Sequence, residues 1–256
     1  MQREVHSAVT DGYGRAAETY ARARPSYPDA AVDWLLVELG EPFRVVEVGA
    51  GTGKFTTQLI ERKVTVFAVE PVRAMRDRLG ALGPRVTPFD ATAEHLPFDT
   101  ASVGALVASQ SLHWTDVSAA LAEFDRALVP SGAVGLIWNF RDTEVAWQRD
   151  LDALLSELRG DAPHSRDGRW ERAVDASTFG VATSKTWRWS LTTDRAGVVD
   201  RVRSVSYVAT MPEDDQRRVD ERVRHIIDEH GLDSGTETIL FPYVTEAYIL
   251  RRRQRS

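Results

Sequence analysis

Cysteine is absent from the 256 residues, and with it go disulfide frameworks, thiolate nucleophiles, iron–sulfur clusters and cysteine zinc sites. No 18 apolar residues run together, so no membrane span is expected. The opening Met1-Gln2-Arg3-Glu4-Val5-His6 also lacks the apolar core of a secretion signal. A cytoplasmic protein with no membrane partner is the expectation. A basic excess is missing too: 32 Lys and Arg face 38 Asp and Glu, for a net charge of −6. That balance argues against a dedicated nucleic-acid binder. The tail Arg251-Arg252-Arg253-Gln254-Arg255 is the exception, and it reads as a solvated terminus. Repeats, linkers and low-complexity segments do not stand out. What remains, 43% hydrophobic and 27% charged, suits one globular domain large enough to bury a core without staples.

Strand-length apolar runs alternate with helical patterns through the first 140 residues, the mark of βαβ units and a mostly parallel sheet. Arg44 to Gly49 is a near-continuous β-branched run, as a strand covered on both faces requires. A glycine turn, a helix from Lys54 to Arg62 and a second strand, Val64 to Glu70, follow, and Pro71 suits the first turn of another helix. A third strand ends near Asp90 and a fourth runs from Val103 to Ser109. Asp116 can cap a helix that reaches Leu128, Pro130-Ser131-Gly132 breaks that helix, and Ala133 to Asn139 forms a fifth strand. Beyond Phe140 the rhythm is lost. Asp142 to Arg159 looks helical, Gly160 to Gly168 looks like a loop, and Trp187 to Leu191 alternates like a strand. Pro212 to His230 looks helical again, and Pro242 makes Ile239 to Arg251 an edge or bulged strand.

Chemistry concentrates at Glu47-Val48-Gly49-Ala50-Gly51-Thr52-Gly53, where a strand gives way to a helix. Glycine there lets the backbone turn sharply and a ligand lie against it. A phosphate-cradling P-loop would need a glycine at Val48 and a hydroxyl at Phe55, so it is excluded. A dinucleotide fingerprint would put its third glycine at Lys54, one residue late, which weakens that reading. Glu70 ends the second strand, where a carboxylate can accept both hydroxyls of a ribose lying on the turn. Asp90-Ala91-Thr92-Ala93-Glu94 then brings an acid and backbone amides to the same carboxyl edge of the sheet.

The runs VVEVGAGTGKF, AVEP, DATAEHLPF and SQSLHW, in that order, resemble the successive motifs of class I S-adenosylmethionine-dependent methyltransferases. The early YARARPSYP is similar to small-molecule members of the trans-aconitate and quinone-biosynthesis types. The likeness covers about Tyr13 to Asn139, and the final PYVTEAYIL resembles the antiparallel closing strand of the fold. It departs at Glu47, where aspartate is commoner, and at Gly104, where an aspartate often begins the fourth strand. The resemblance implies a Rossmann-like, doubly wound, mostly parallel seven-stranded α/β sheet with an antiparallel last strand and helices on both faces. Residues 1–256 would form one such domain, with 1–40 a helical cap over the cofactor and 140–238 a variable substrate-side insertion with closing helices.

It further implies S-adenosylmethionine as cofactor and methyl transfer to a small-molecule O, N or C acceptor, a carboxylate or other anionic group among the candidates, by a monomer or homodimer. Gly49, Ala50, Gly51 and Gly53 would pass under the methionine and ribose, Glu47 would position the amino group, and Glu70 would hold the ribose. Pro71, Val72 and Met75 would flank the adenine, with Asp90, Ala91 and Thr92 at its edge. Ser109 and Gln110 would line the methionine end, and Tyr20 and Arg24 would close over the cofactor. His113 is the candidate general base. Trp114, Trp138, Phe140 and Arg141 are candidate substrate contacts, in a stretch that also holds Trp147, Arg166, Arg169 and Trp170; aromatic walls with cations suit a flat or anionic molecule. His225 and His230, five apart, do not share a helix face, and no metal is expected. The alternatives are a nicotinamide-dependent oxidoreductase, a non-catalytic S-adenosylmethionine-binding regulator and a nucleic-acid methyltransferase.

Overall fold

A computed structural model describes residues 25–41, 43–232 and 238–254. The first helix, α1 (Asp29–Glu38), buries Ala31, Val32, Leu35 and Leu36 along one face. Then come β1 (Arg44–Val48), α2 (Lys54–Glu61), β2 (Thr65–Val69), α3 (Arg73–Gly80), β3 (Val86–Phe89) and β4 (Val103–Ser109). A 3₁₀ turn (Leu112–Trp114) leads into α4 (Val117–Ala127) and β5 (Leu128–Arg141). After α5 (Ala146–Leu158), α6 (Arg169–Ala176) and β6 (Phe179–Thr193), three helices α7 (Arg195–Arg203), α8 (Ser206–Ala209) and α9 (Glu213–Glu229) precede β7 (Ile239–Arg252).

The seven strands lie in the order β3-β2-β1-β4-β5-β7-β6, a Rossmann-like sheet with its last strand antiparallel and helices around it. The first five strands are parallel, with Val48 opposite Val69, Glu47 opposite Val107 and Ser109 opposite Ile137. β1 is central, which is why four of its five residues are buried on both faces. The described residues divide into two compact units. One comprises Ser26–Asn139, Pro163–Trp187 and the described part of Thr245–Ser256. Its core joins Leu35, Phe55, Leu59, Leu79, Val107 and Ile137. The other comprises the described parts of Phe140–Ala162 and Arg188–Val244, with a separate core of Trp147, Leu151, Val198, Val223, Ile227 and Phe241. No helix among the described residues is long and apolar enough to cross a membrane.

Several expectations need correcting. Pro130-Ser131-Gly132 does not end the helix, which stops at Ala127; it lies inside β5 as a bulge. Val103 faces Leu128, and the ladder resumes at Ala105 opposite Ala133. Pro242 does not mark an edge, because β7 runs between β5 and β6. Its carbonyl accepts from the Asp142 N–H at 3.3 Å, one residue past the end of β5, so the donor that proline lacks falls where that ladder has already finished. Pro71 precedes its helix rather than opening it: the Val72 N–H is held by the Glu70 carboxylate, Val72 stays extended, and α3 starts at Arg73. The expected strand 187–191 lies near the end of a longer β6 that begins at Phe179, and α6 fills the stretch after the loop at 160–168. The arginine tail is more than a solvated terminus. Arg251 donates to the Glu38 carbonyl at 2.7 Å, Arg252 to those of Asp125 and Leu128 at 2.6 and 3.0 Å, and Arg253 to that of Asp175 at 2.9 Å. Three successive arginines thus satisfy the orphan carbonyls at the C-terminal ends of α1, α4 and α6, the ends where a cation is also favoured by the helix dipole.

Candidate cofactor site and active site

At the carboxyl edge of β1 the chain turns through Gly49, Ala50 and Gly51 into α2. Gly49 has φ +69° and its N–H bonds the Val69 carbonyl at 2.8 Å. A Cβ added there would stand 2.5 Å from the Ser111 Cβ, so the close approach of the segment after β4 demands glycine. Gly51 has φ +59°, but a Cβ there would meet nothing within 4 Å: its outer side is open.

Two carboxyl groups frame this turn. Glu70, 4% exposed, accepts from the Gly51 N–H at 2.8 Å with one oxygen and from the Val72 N–H at 2.9 Å with the other. Burial raises its pKa, opposed by those two backbone donors and by the Arg76 charge. Glu47 is fully buried, with the Thr56 hydroxyl 2.6 Å from one oxygen and the Ser109 hydroxyl 3.4 Å from the other. Burial pushes its carboxyl up to about 8, against the pull of both hydroxyls, and the nearby Glu70 pushes the same way.

At the edge of β3, Asp90 is exposed and receives Arg76 at 2.8 Å, while the same guanidinium donates to the carbonyls of Glu70 and Pro71 at 2.8 and 2.9 Å. Arg76 therefore ties the segment after β2 to the end of the third strand. The turn after β2 carries Pro71 and Val72 half-buried, with Met75 at 3% exposure beneath them; Ala91 and Thr92 are half-buried after β3.

At the end of β4, Gln110 holds a left-handed φ of +53°, an uncommon state for a side chain of this size. Its N–H bonds the Ile137 carbonyl at 3.1 Å and its amide donates to the Asn139 carbonyl at 2.9 Å. Asn139 in turn accepts from Thr245 at 2.6 Å and donates to the Ser26 carbonyl at 3.2 Å. Ser111 fastens the segment to β1 through the Val48 carbonyl at 2.6 Å.

The structure thus brings Glu47, Gly49, Ala50, Gly51, Gly53, Glu70, Pro71, Met75, Asp90, Ala91, Thr92, Ser109 and Gln110 to one sheet edge. Tyr20 and Arg24 lie outside the described residues. His113 and Trp114 follow β4 in the 3₁₀ turn, half-buried with ring centroids 5.3 Å apart, and α6 packs against that turn. Trp138 is 1% exposed, its ring 5.1 Å from Trp170 and 6.0 Å from Tyr248, so it belongs to an aromatic cluster in the interior. Phe140 and Arg141 fall in the other unit, where Arg141 pairs with Asp152 at 2.5 Å. Sequence reasoning missed Thr56, Arg76, Ser111 and Asn139. A hydroxyl in the first turn after the glycines was the only signal for Thr56; the other three reveal themselves only through bonds that span distant elements. His225 and His230 sit against Glu229 and Asp150 at 3.2 and 2.7 Å, and no metal-holding cluster occurs among the described residues.

This edge, with an acid after β2 and an open glycine turn after β1, defines an adenosine-cofactor enzyme of Rossmann-like fold. Residues 46–136 match the family model described as a methyltransferase domain. An uncharacterised methyltransferase of Mycobacterium tuberculosis is 36% identical over 233 residues, covering 91% of this chain and 92% of the relative. A malonyl-[acyl-carrier protein] O-methyltransferase of Geobacter sulfurreducens is 30% identical over 138 residues, 51% of each chain. Among solved structures, a type II methyltransferase candidate from Anaeromyxobacter dehalogenans superposes with TM-score 0.63 at 24% identity, covering 90% of this chain and 97% of that one, and so shares the fold. The chain belongs to the class I S-adenosylmethionine-dependent methyltransferases. S-adenosylmethionine is its cofactor, and the nicotinamide alternative falls.

Proposed function

We propose that this enzyme methylates a small-molecule acceptor bearing a carboxylate or another anionic group, in the cytoplasm, releasing S-adenosylhomocysteine. The observation that carries the cofactor's placement is Glu70: both its oxygens are aimed by the backbone of the turns it joins, and a carboxylate so held keeps lone pairs for two ribose hydroxyls. The open side of Gly51 leaves room for the ligand where a Cβ would intrude. Pro71, Val72 and Met75 offer apolar surface to the adenine, and Asp90, Ala91 and Thr92 its polar edge. Glu47 takes the ammonium, and Ser109 and Gln110 line the methionine end.

Bound S-adenosylmethionine supplies a methyl group on a positively charged sulfur. The chain's own contribution is to align donor and acceptor and exclude water, which for well-oriented reactants removes roughly 7–11 kcal/mol of barrier. His113, following the strand that ends at the methionine side, is the group to take a proton from an acceptor that carries one; a carboxylate acceptor does not need it. The carboxylate reading draws support from the malonyl-carrier O-methyltransferase that resembles half of this chain. Titration calorimetry with S-adenosylmethionine and separately with NAD, repeated on Glu70→Ala, tests the cofactor site. Tight binding of the former alone, lost in the variant, is expected. A panel of carboxylic acids beside their methyl esters and amides then tests the acceptor class: methylation of amides with acids untouched would refute it.

A further inference from the structure

The two carboxyl groups beside the glycine turn differ in kind. Glu70 has two backbone N–H donors and feels the charge of Arg76. Glu47 has neither a backbone donor nor a cation among the described residues: its fully buried carboxyl meets only the hydroxyls of Thr56 and Ser109. Among the described residues, the elements around it add no compensating charge. Its ladder partners are Ala68 on β2 and Val107 on β4, and the one charged group among the described residues that acts on it is Glu70, of like sign; Lys54, in the first turn of α2, is not among the groups that shift it. A buried charge without a counter-ion is strongly disfavoured, and the same pocket welcomes a carboxylate once a cation stands beside it.

We propose that Glu47, positioned by Thr56, is a proton-exchanging receptor for the amino-acid head of the cofactor: its carboxyl carries a proton in the cofactor-free protein and releases it as an ammonium group binds. The proposal rests on the cofactor reading above and adds a selection rule to it. The carboxyl O–H bond breaks, the proton goes to the buffer, and the carboxylate pairs with the ligand's ammonium; nothing is oxidised or reduced. Ligands with the amino-acid head become pH-dependent binders, and bare nucleosides do not. With the Glu47 carboxyl up at about 8, affinity for the former rises about tenfold per unit as pH climbs toward that value and levels off above it.

Calorimetry on the full chain at pH 6 and 7, in two buffers of different ionisation heat, reads the released protons. That window stays below the ordinary α-amino range of about 7.7–8.0, so the ligands keep their own charge. S-adenosylmethionine and S-adenosylhomocysteine should each release close to one proton and bind about tenfold tighter at pH 7 than at pH 6. 5′-Methylthioadenosine, which lacks the amino-acid head, should release none and bind alike at both. Glu47→Gln should abolish proton release and pH dependence while keeping 5′-methylthioadenosine affinity within about twofold, which also reports a folded site. Thr56→Val should keep the release but weaken S-adenosylmethionine alone. Binding of S-adenosylmethionine to wild type without proton exchange, or proton release that survives Glu47→Gln, overturns the proposal. Failure of every adenosine ligand to bind overturns the cofactor reading instead.

Discussion

Glu70→Gln is the sharpest test of how the cofactor edge is built, because the change keeps shape and removes half the acceptors. A carboxylate has about four lone-pair sites; two are taken by the N–H groups of Gly51 and Val72, at 2.8 and 2.9 Å. Glutamine keeps one oxygen and turns an NH₂ toward a backbone donor, so one N–H and one ribose hydroxyl lose their acceptor. Leaving a buried N–H unsatisfied costs about 1–3 kcal/mol. Since burial already disfavours the Glu70 charge, removing that charge offsets part of the loss, and the net destabilisation should fall near 1 kcal/mol. Binding loses a hydrogen bond to a charged group, about 1.5–3 kcal/mol, or roughly ten- to a hundredfold in the Kd for S-adenosylmethionine. Calorimetric titration alongside urea denaturation separates the two effects. The loss should shrink sharply for 2′,3′-dideoxyadenosine, which has no hydroxyls to offer. An equal loss for that ligand, or unchanged S-adenosylmethionine affinity in a folded variant, refutes the assignment of Glu70 to the ribose.

Glu47 makes cofactor-free stability depend on pH in an unusual direction. Its folded carboxyl is raised from 4.5 to about 8, so between those values the folded state holds a proton that the unfolded chain has lost. The contribution is complete below about pH 4.5 and disappears as pH rises through 8, at about 1.4 kcal/mol per unit. Urea curves at pH 6 and 7.5 should therefore show wild type losing about 2 kcal/mol relative to Glu47→Gln; parallel curves would contradict the buried, uncompensated carboxyl. Gly49→Ala should destabilise by about 2–5 kcal/mol, the sum of a left-handed alanine and an overpacked contact with the Ser111 Cβ at 2.5 Å. Adding Ser111→Gly should recover only the packing part, a coupling readable by double-mutant cycle. Arg252→Met removes donors to the carbonyls of Asp125, Leu128, Val129 and Pro130. A loss of about 2–4 kcal/mol in denaturation midpoint terms, with the m-value unchanged, is expected.

The parts of the fold legible in the sequence are those whose burial is one-dimensional. β4 spans Val103–Ser109 as its apolar run indicates, and α9 spans Glu213–Glu229 between Pro212 and His230, with three acids in its first turn. What the pattern hides is decided by partners far along the chain. The bulge at Pro130 is paired with the stretch from Val103 to Ala105, and the interior position of β7 follows from strand order rather than from its own residues. β6 is the outermost strand with mostly exposed or half-buried residues, so it lacks the apolar signal that marks a strand.

The site divides along the same line. Glu47, Glu70 and the glycines are legible because strand end, turn and helix start are consecutive, and the ligand chemistry is written in adjacent residues. Thr56, Ser111, Arg76 and Asn139 set the angles of those groups through bonds to Glu47, Val48, the Glu70 backbone and the Ser26 carbonyl, and no local pattern distinguishes them from other polar residues. Gln110 sits on the boundary. Its place after β4 is visible in the sequence, but its left-handed backbone is not. Strain of that kind, of order 1–3 kcal/mol, persists only where the surroundings overdetermine it, and here two bonds to β5 at Ile137 and Asn139 do so. Those bonds fix the point where the chain leaving β4 skirts Gly49, on which the next residue, Ser111, closes. That is why the strained residue falls there, and not after β3, where Asp90 remains exposed.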